Sequence, residues 1–249
     1  MTSKRALETD APKGFRPDVQ GLRGLAVIAV VGYHLGILFP GGFLGVDIFF
    51  VISGFVIAKI LVTEWEREGV IRWRLFYTRR FFRLAPALAG VVAFTMVVEV
   101  LIFTWPLVHD VVLVTGVAAV LGISNFAIAD ISGGYFGFAP TSNPLLHTWS
   151  LGVEWQFYVV VPLLIALAVA ALRRHNLSGR GLLIFLLSLL TVVSFVLGLL
   201  EWPITSPIQI DLLGFYSPIS RIWEFGLGAL VFMAGQVLKG TTAQAALLS

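Results

Sequence analysis

The sequence predicts an all-α membrane protein, a polytopic transmembrane helix bundle of about six to seven spans in which one segment either spans or is re-entrant. Of the 249 residues, 58% are hydrophobic and 12% are charged, whereas a soluble domain carries about 25% charged residues. The apolar residues come in runs of roughly 20, the length of helix that crosses the hydrocarbon core. Lys and Arg cluster at the ends of these runs, as they do beside cytoplasmic membrane ends.

The N-terminal part predicts a cytoplasmic tail followed by a hairpin of two spans. Residues 1–20 are charged and have no apolar core, so we expect no removable signal peptide. A first span over 22–39 is stopped by Pro40, and a second span over 46–62 returns after a tight outer turn. An Arg-rich cytoplasmic loop is then expected over residues 64–84.

The third span is predicted over residues 85–104, because Pro86 suits the first turn of a helix. The next apolar segment, 107–129, is long enough to cross the membrane but contains His109 and Asp110. If it spans, the helix over 149–172 runs outward and places its following arginines outside, against the usual bias. A re-entrant segment keeps those arginines inside and is favoured.

The remaining chain predicts two outer loops and two more spans. The loops cover 131–147 and 201–220, and the spans cover 181–200 and 221–239. The resulting membrane domain runs from residue 21 to 239. The last ten residues, 240–249, are expected to form an unstructured tail.

Ionisable side chains on the first span are candidates for function, since a charge at mid-bilayer costs about 2.5–3.5 kcal/mol or more. Arg23 and His34 are eleven residues apart, which returns them to nearly one helix face, roughly 16 Å apart along the axis. His34 is then expected near the middle of the membrane or slightly beyond. It acts either in chemistry or as a hydrogen-bonded packing residue.

Asp47 is predicted at the depth of His34, because each lies a few residues from the turn that joins the first two spans. A carboxylate beside an imidazole fixes its tautomer and raises its basicity, as in a general base. The alternative is a buried ion pair that holds two helices together.

Arg80 and Arg83 are spaced i, i+3 immediately before Pro86. Guanidinium groups near a helix start suit phosphate, so a cytoplasmic phosphorylated ligand is one interpretation. A positive-inside anchor is the other.

Three polar residues, His147, Ser150 and Glu154, share one helical stripe if a helix begins near residue 144. Groups stacked along one helix seldom reach the geometry of a catalytic triad. Glu154 is therefore expected to line a polar cavity, with Trp149 and its aromatic neighbours in an interfacial belt. Farther along, Arg221 and Glu224 predict a structural ion pair.

Two classes of function fit these residues. One is an enzyme that passes a group from a cytoplasmic phosphorylated donor to an outer acceptor. The other is a proton-coupled anion transporter with His34 and Asp47 as the relay. The absence of Cys excludes disulfides, thiol nucleophiles and Cys-ligated metals.

Several motifs, in order, resemble the acyltransferase-3 membrane family, whose bacterial members include O-acetyltransferases of lipopolysaccharide and peptidoglycan. The resemblance covers residues 16–239. It rests on the stretches RPDVQGLRGLA from Arg16, GVDIFFVISGF from Gly45, RRFFRLAP from Arg79 and LHTWSLGVEWQFY from Leu146, together with His34.

The resemblance implies that His34 is the essential histidine, that Asp47 orients it, and that Glu154 belongs to the catalytic set. Arg23, Arg80 and Arg83 would bind acyl-CoA, with acetyl-CoA as the expected donor substrate. His147, Trp149 and Ser150 would line the acceptor side. No metal and no permanently bound cofactor is implied, since a thioester is already activated.

The implied reaction moves an acyl group from cytoplasmic acyl-CoA to a hydroxyl of an extracytoplasmic glycan such as lipopolysaccharide, peptidoglycan or exopolysaccharide. The protein is then expected in the bacterial cytoplasmic membrane with its N-terminus in the cytoplasm. Family members normally have helices beyond the point equivalent to Lys239, and many add an outer hydrolase-like domain. A partner supplying missing helices, or an inactive shortened copy that associates with a full-length relative, is the further alternative.

Overall fold

The computed structural model describes residues 16–37, 40–102, 106–132, 143–175, 179–200 and 213–247. These residues contain eight α-helices and no strand. A single 3₁₀ turn, Gly42–Leu44, precedes the second helix. The helices are α1 (Pro17–His34), α2 (Gly45–Glu68), α3 (Trp73–Ile102), α4 (Pro106–Val120), α5 (Ser124–Ser132), α6 (Thr148–His175), α7 (Gly179–Leu200) and α8 (Pro218–Leu247).

Four of the described helical stretches are long and apolar enough to cross a membrane: Gly42–Glu68, Trp73–Ile102, Gly181–Leu200 and Pro218–Leu238. The 18-residue α1 and the 28-residue α6 complete a set of six long helices at the positions of the six predicted spans. The predicted all-α membrane bundle is confirmed.

The predicted cytoplasmic loop over 64–84 is wrong, because helix extends almost through it. α2 continues to Glu68, where Gly69 adopts a left-handed φ of 68° and donates its N–H to Trp65 O. α3 begins at Trp73, so the connection is only residues 69–72. Pro86 consequently lies inside α3 instead of in its first turn. Hydropathy marks where a helix leaves the hydrocarbon, and the helix itself continues beyond that point.

Two further boundaries differ from the prediction. α1 ends at His34, and Gly36 in the following turn has a φ of 65°, so His34 terminates the helix instead of lying within a span. α8 continues to Leu247, and the unstructured tail predicted from residue 240 is wrong as far as that point. The Ala, Gln and Leu residues at its end are strong helix formers. Parts of both predicted outer loops, 133–142 and 201–212, lie outside the described residues.

The two ends of the bundle are distinct. The basic end is defined by the start of α1, the connection 69–72 and the start of α3, where Arg and Lys are frequent. At the opposite end α1 terminates and α2, α6 and α8 begin, since Asp47 of α2 contacts Arg221 of α8 and Phe50 of α2 contacts Trp149 of α6. Three stacked rings, Phe157, Phe225 and Phe50, form part of the core between these helices.

The contact between α2 and α8 is backbone against backbone. A Cβ placed on Gly54 would come within 2.0 Å of Phe225 O, and one on Gly228 within 1.9 Å of Val51 O. Real Cβ atoms do not approach other atoms this closely, so only glycine permits this helix spacing. We call the contact around Gly54 and Gly228 the glycine seam.

The segment predicted as a span or a re-entrant element folds as two short helices, α4 and α5, that pack against the first turns of α6. Thr115 of α4 accepts a hydrogen bond from Asn143, just before α6 begins. Gly122, between α4 and α5, packs against Trp155, about two turns along α6. Ser124 of α5 then donates to Thr148 O, back at the start of α6. The re-entrant placement of this segment in the membrane stays a prediction.

Candidate functional site

Five side chains from four helices form a buried polar cluster in the interior of the bundle. They are Arg23 on α1, Ser53 on α2, Arg80 on α3, and Glu154 and Tyr158 on α6. Each is at most 6% exposed. Burying polar and charged groups away from water is costly unless they are paired. The cluster is therefore either a functional site or a set of contacts that holds the helices together.

Glu154 is the centre of the cluster. Its Oε1 accepts hydrogen bonds from Ser53 Oγ at 2.7 Å and from the hydroxyl of Tyr158, one turn along the same helix. Ser53 Oγ in turn accepts a hydrogen bond from Arg23 Nη2 at 3.5 Å. The Arg80 guanidinium lies over the Tyr158 ring, with Cζ 5.1 Å from the ring centroid. The polar chain therefore joins α1, α2, α3 and α6.

Positive charge exceeds negative charge in and beside the cluster. Arg80 and the exposed Arg83 both lie close enough to Arg23 to interact with it electrostatically. Glu154 is a carboxylate that interacts electrostatically with Arg23, and Ser53 bridges the two side chains. The Nε of Arg23 is buried and makes no hydrogen bond. This excess of buried cation favours an anionic ligand.

A cavity of about 640 Å³ opens at the basic end and reaches the cluster through Arg80. It lies between α1, α2 and the first turns of α3, and six of the residues that line it are cationic: Arg16, Lys59, Arg67, Arg72, Arg79 and Arg80. Its size is within the usual range for a site that holds a small ligand or cofactor. A smaller groove between α3 and α6, lined by Phe81 and Trp155, shares Arg80 as part of its wall.

His34 lies at the opposite end of α1 from this cavity. It is exposed, and its Nδ1 lies 2.9 Å from Val30 O in the preceding turn. Helical rise places it roughly 16 Å along α1 from Arg23. His34 is the last residue of α1, and its expected depth near mid-membrane stays a prediction.

The predicted pair of His34 and Asp47 is not formed, and this part of the prediction is wrong. Asp47 lies in the first turn of α2, where Oδ1 accepts a hydrogen bond from Arg221 Nη1 at 3.0 Å. The same Nη1 donates to Glu224 Oε1 at 2.8 Å. An arginine close to two carboxylates is a stronger partner for Asp47 than a neutral imidazole, and it draws Asp47 toward α8. The predicted pair of Arg221 and Glu224 is present.

His147 is brought toward His34 at this end of the bundle. Although it is exposed, the surrounding protein lowers the pKa of the His147 imidazole by desolvation, and the nearby His34 adds a smaller lowering. The two imidazoles are separated by 113 positions in the sequence, and folding places them in electrostatic contact. His147 stays a candidate for the acceptor side and His34 for the catalytic residue.

The predicted stripe of His147, Ser150 and Glu154 does not form a common site. α6 begins at Thr148, so His147 precedes the helix, and Ser150 Oγ donates to His147 O at 3.1 Å. Glu154 instead points into the buried cluster. Trp149 is also buried, against Phe50 and below the Arg221 guanidinium, so its predicted place in an interfacial belt is wrong.

Sequence reasoning missed Ser53 and misplaced Tyr158, which was expected in the interfacial belt. Both lie in apolar stretches of the sequence, where a buried hydroxyl needs a hydrogen-bond partner. That pattern could have indicated that both residues belong to a polar site. A second polar contact was also missed: Asn125 Nδ2 donates to Tyr216 O at 3.0 Å, and Gln156 Nε2 donates to Asn125 Oδ1 at 2.7 Å. Across the described ranges, no three His, Asp or Glu side chains are grouped as metal ligands.

Comparison with known proteins identifies the family. The profile of the family described as an acyltransferase domain matches residues 16–248, nearly the whole chain and all of the elements above. The chain belongs to the acyltransferase-3 family. This acyltransferase-3 chain matches no solved structure.

Curated relatives of this acyltransferase-3 chain are longer proteins. It is 40% identical over 151 residues to the peptidoglycan O-acetyltransferase OatA of Listeria monocytogenes, which covers 59% of the chain and 23% of that protein. It is 36% identical over 202 residues to the O-acetyltransferase OatA of Staphylococcus aureus, covering 78% and 32%. The protein BcsY of Komagataeibacter xylinus is 35% identical over 231 residues, covering 91% and 54%. The chain thus spans between about a quarter and about half of the length of these relatives.

Proposed function

We propose that the chain is the membrane part of an O-acyltransferase that moves an acyl group, with acetyl as the expected group, from cytoplasmic acyl-CoA to a hydroxyl of an extracytoplasmic cell-envelope glycan. The observation that carries the proposal is the buried polar cluster, which contains two buried guanidinium groups and one buried carboxylate, with a basic cavity leading to it. Acyl-CoA is a thioester whose phosphate groups are negatively charged, and they would balance the excess positive charge of these guanidinium groups. The relatives named as O-acetyltransferases support the same chemistry.

The proposed orientation places the basic end in the cytoplasm, in keeping with the preference of Lys and Arg for that side of a bacterial cytoplasmic membrane. The donor then enters the cavity from the cytoplasm, and its phosphates approach Arg80. Its thioester arm extends along α1, past Arg23 and toward His34. Arg23 keeps one buried N–H without a partner, which suits contact with an oxygen of the donor.

His34 is the residue proposed to take part in the transfer. In one route the acceptor hydroxyl attacks the thioester carbonyl carbon, His34 takes the hydroxyl proton, the carbon–sulfur bond breaks and the CoA thiolate leaves. In the other route an imidazole nitrogen of His34 attacks the thioester carbonyl carbon, the carbon–sulfur bond breaks and the CoA thiolate leaves. The acceptor hydroxyl then attacks the acyl-imidazole, the carbon–nitrogen bond breaks, and the hydroxyl proton passes to the released imidazole. Both routes need a neutral imidazole. Asp47 enters neither route directly, since it is paired with Arg221.

The proposal is tested by replacing His34 with Gln in purified protein reconstituted in vesicles. With radiolabelled acetyl-CoA and a peptidoglycan or exopolysaccharide acceptor, we expect His34→Gln to lower transfer at least 100-fold, the lower range of a general acid–base contribution. Leu35→Ala removes a neighbouring exposed side chain from the same turn and should keep wild-type transfer.

Unchanged transfer by His34→Gln would remove His34 from the mechanism. Absence of any transfer or acetyl-CoA binding by the wild-type chain, together with anion flux driven by a proton gradient, would favour the transporter instead. Co-purification with a longer relative, without binding or transfer, would favour the inactive-copy alternative.

A further inference from the structure

The basic cavity contains cations beyond the arginines expected from the sequence to hold phosphate. Arg80 lines it, whereas Arg83 is exposed outside it. On the facing wall, Phe55, Lys59 and Thr63 project from α2 at intervals of four residues, which places them on one helix face. Lys59 is thus a cation on the α2 wall of the cavity, as Arg80 is on the α3 wall.

The two cations lie at similar depth. Lys59 is nine residues before the end of α2, roughly 14 Å by helical rise, and Arg80 is seven residues after the start of α3, roughly 10 Å. Arg79, on the first turns of α3, lines the same space. The cavity is thus bounded by positive charge on both of its long walls.

The acidic residues that line this cavity are already engaged. Glu68 accepts from Arg72 Nε at 2.8 Å, and Glu64 lies 3.4 Å from the same nitrogen. In the part of the chain that the structure describes, no carboxylate lies within ion-pair distance of Lys59, Arg79 or Arg80. Arg80 is 5% exposed. A buried guanidinium without a counter-ion, faced by a half-buried ammonium, calls for an anion between them.

We infer that Lys59 binds a phosphate group of the donor, so that the phosphates of acyl-CoA lie between α2 and α3, with Lys59 on one wall and Arg79 and Arg80 on the other. This inference rests on the proposed function and deepens it. It assigns the phosphate contact to the facing α2 wall and removes Arg83 from direct contact with the phosphates. Lys59 acts as a compact point charge with three donors, which suits phosphate without requiring bidentate geometry.

The experiment measures the dissociation constant of acetyl-CoA for the full chain in nanodiscs of neutral lipid. A hydrogen bond to a charged group is worth about 1.5–3 kcal/mol, so Lys59→Gln should weaken binding about tenfold or more. Lys59→Arg keeps the charge and should restore most of the affinity. Arg74→Gln removes one positive charge from the same end of α3 but outside the cavity, and should leave the dissociation constant nearly unchanged.

A second ligand separates phosphate binding from folding. Acetyl-pantetheine carries the thioester without the nucleotide or the phosphates, so Lys59→Gln and wild type should bind it equally. Added salt should also weaken acetyl-CoA binding less steeply in Lys59→Gln than in wild type.

Equal acetyl-CoA affinity of wild type and Lys59→Gln would overturn the inference and leave the proposed function standing. The inference would also fail if Lys59→Gln lost affinity for acetyl-pantetheine to the same degree, because that result shows a structural effect. If wild type bound no acetyl-CoA, the donor of the proposed function would be wrong and the inference would fall with it.

Discussion

Ser53 is a single hydroxyl within the apolar run of α2, and its two hydrogen bonds both involve charged residues. It accepts from Arg23 and donates to Glu154. A hydroxyl that accepts from one side chain and donates to another fixes the direction of both side chains. Because Tyr158 donates to the same oxygen, Oε1 of Glu154 depends on two neutral donors from two helices.

Removing these donors tests that dependence. We expect Ser53→Ala and Tyr158→Phe each to lower the free energy of unfolding by about 1–3 kcal/mol, because a buried acceptor loses a partner. The double variant should depart from the sum of the two, since both donors serve one oxygen. Thermal unfolding in detergent provides the measurement.

Tyr77→Phe is the matched control, because Tyr77 is 37% exposed on α3. It should change stability by less than about 0.5 kcal/mol. Additive losses in the double variant, or a loss in Tyr77→Phe equal to that in Tyr158→Phe, would contradict the assigned arrangement.

At the scale of elements, the glycine seam sets the distance between α2 and α8. A methyl group at Gly228 would have to displace the backbone of α2 at Val51, since no flexible side chain can move aside. The seam lies between the buried polar cluster on one side of α2 and the core of α7 and α8 on the other. Its spacing therefore also positions Ser53, the residue before Gly54.

Gly228→Ala should lower the free energy of unfolding by about 1–3 kcal/mol, the usual cost of overpacking. Gly235→Ala lies on the same helix with nothing within 4 Å of the added Cβ. That variant should be neutral or stabilising by up to about 1 kcal/mol, because Ala is the better helix former. Urea or thermal unfolding of the two variants side by side checks the prediction. Equal stability of the two variants would show that the seam is looser than described.

At the scale of the whole molecule, the placement of α4 and α5 determines which side each later helix faces. The re-entrant prediction places Asp110, near the start of α4, and Pro144, before α6, so that both should be accessible from the same side of the membrane. Val70, in the connection between α2 and α3, should be accessible from the other side. The chain contains no Cys, so single cysteines can be introduced without a background.

Labelling of Asp110→Cys, Pro144→Cys and Val70→Cys with a membrane-impermeant maleimide, in intact and in opened vesicles, measures this arrangement. We expect Asp110→Cys and Pro144→Cys to be labelled from the same side of the membrane. Val70→Cys should be labelled from the other side. Reaction of Asp110→Cys and Pro144→Cys from opposite sides would mean that residues 107–129 cross the membrane.

The sequence predicts the presence of the long helices well, because hydropathy and basic flanks depend only on local composition. It also predicts at which end of the bundle a side chain lies: His34 ends α1 and Asp47 lies in the first turn of α2, at the same end. It does not predict which way a side chain turns toward its neighbours. The partner of Asp47 is Arg221, 174 residues later, and only the packing of α8 against α2 brings the two together.

The same limit explains the differences at the candidate site. Arg80 and Arg83 are three residues apart and look equivalent in sequence, yet one is buried over Tyr158 and the other is exposed. Glu154 was correctly expected in a polar interior, but its donors Ser53 and Tyr158 are fixed by the register of α2 against α6. Such a register depends on contacts between distant residues, which no local pattern contains.

At Gly54 and Gly228 the main chains of α2 and α8 are in direct contact, so no side chain can rotate there to make room. A ligand could enter at this point only if the two helices separated. Space for a ligand is found on the other face of α2, where α1 and α3 border the basic cavity. Helix α2 thus has one face closed by main-chain contact and another that borders open volume.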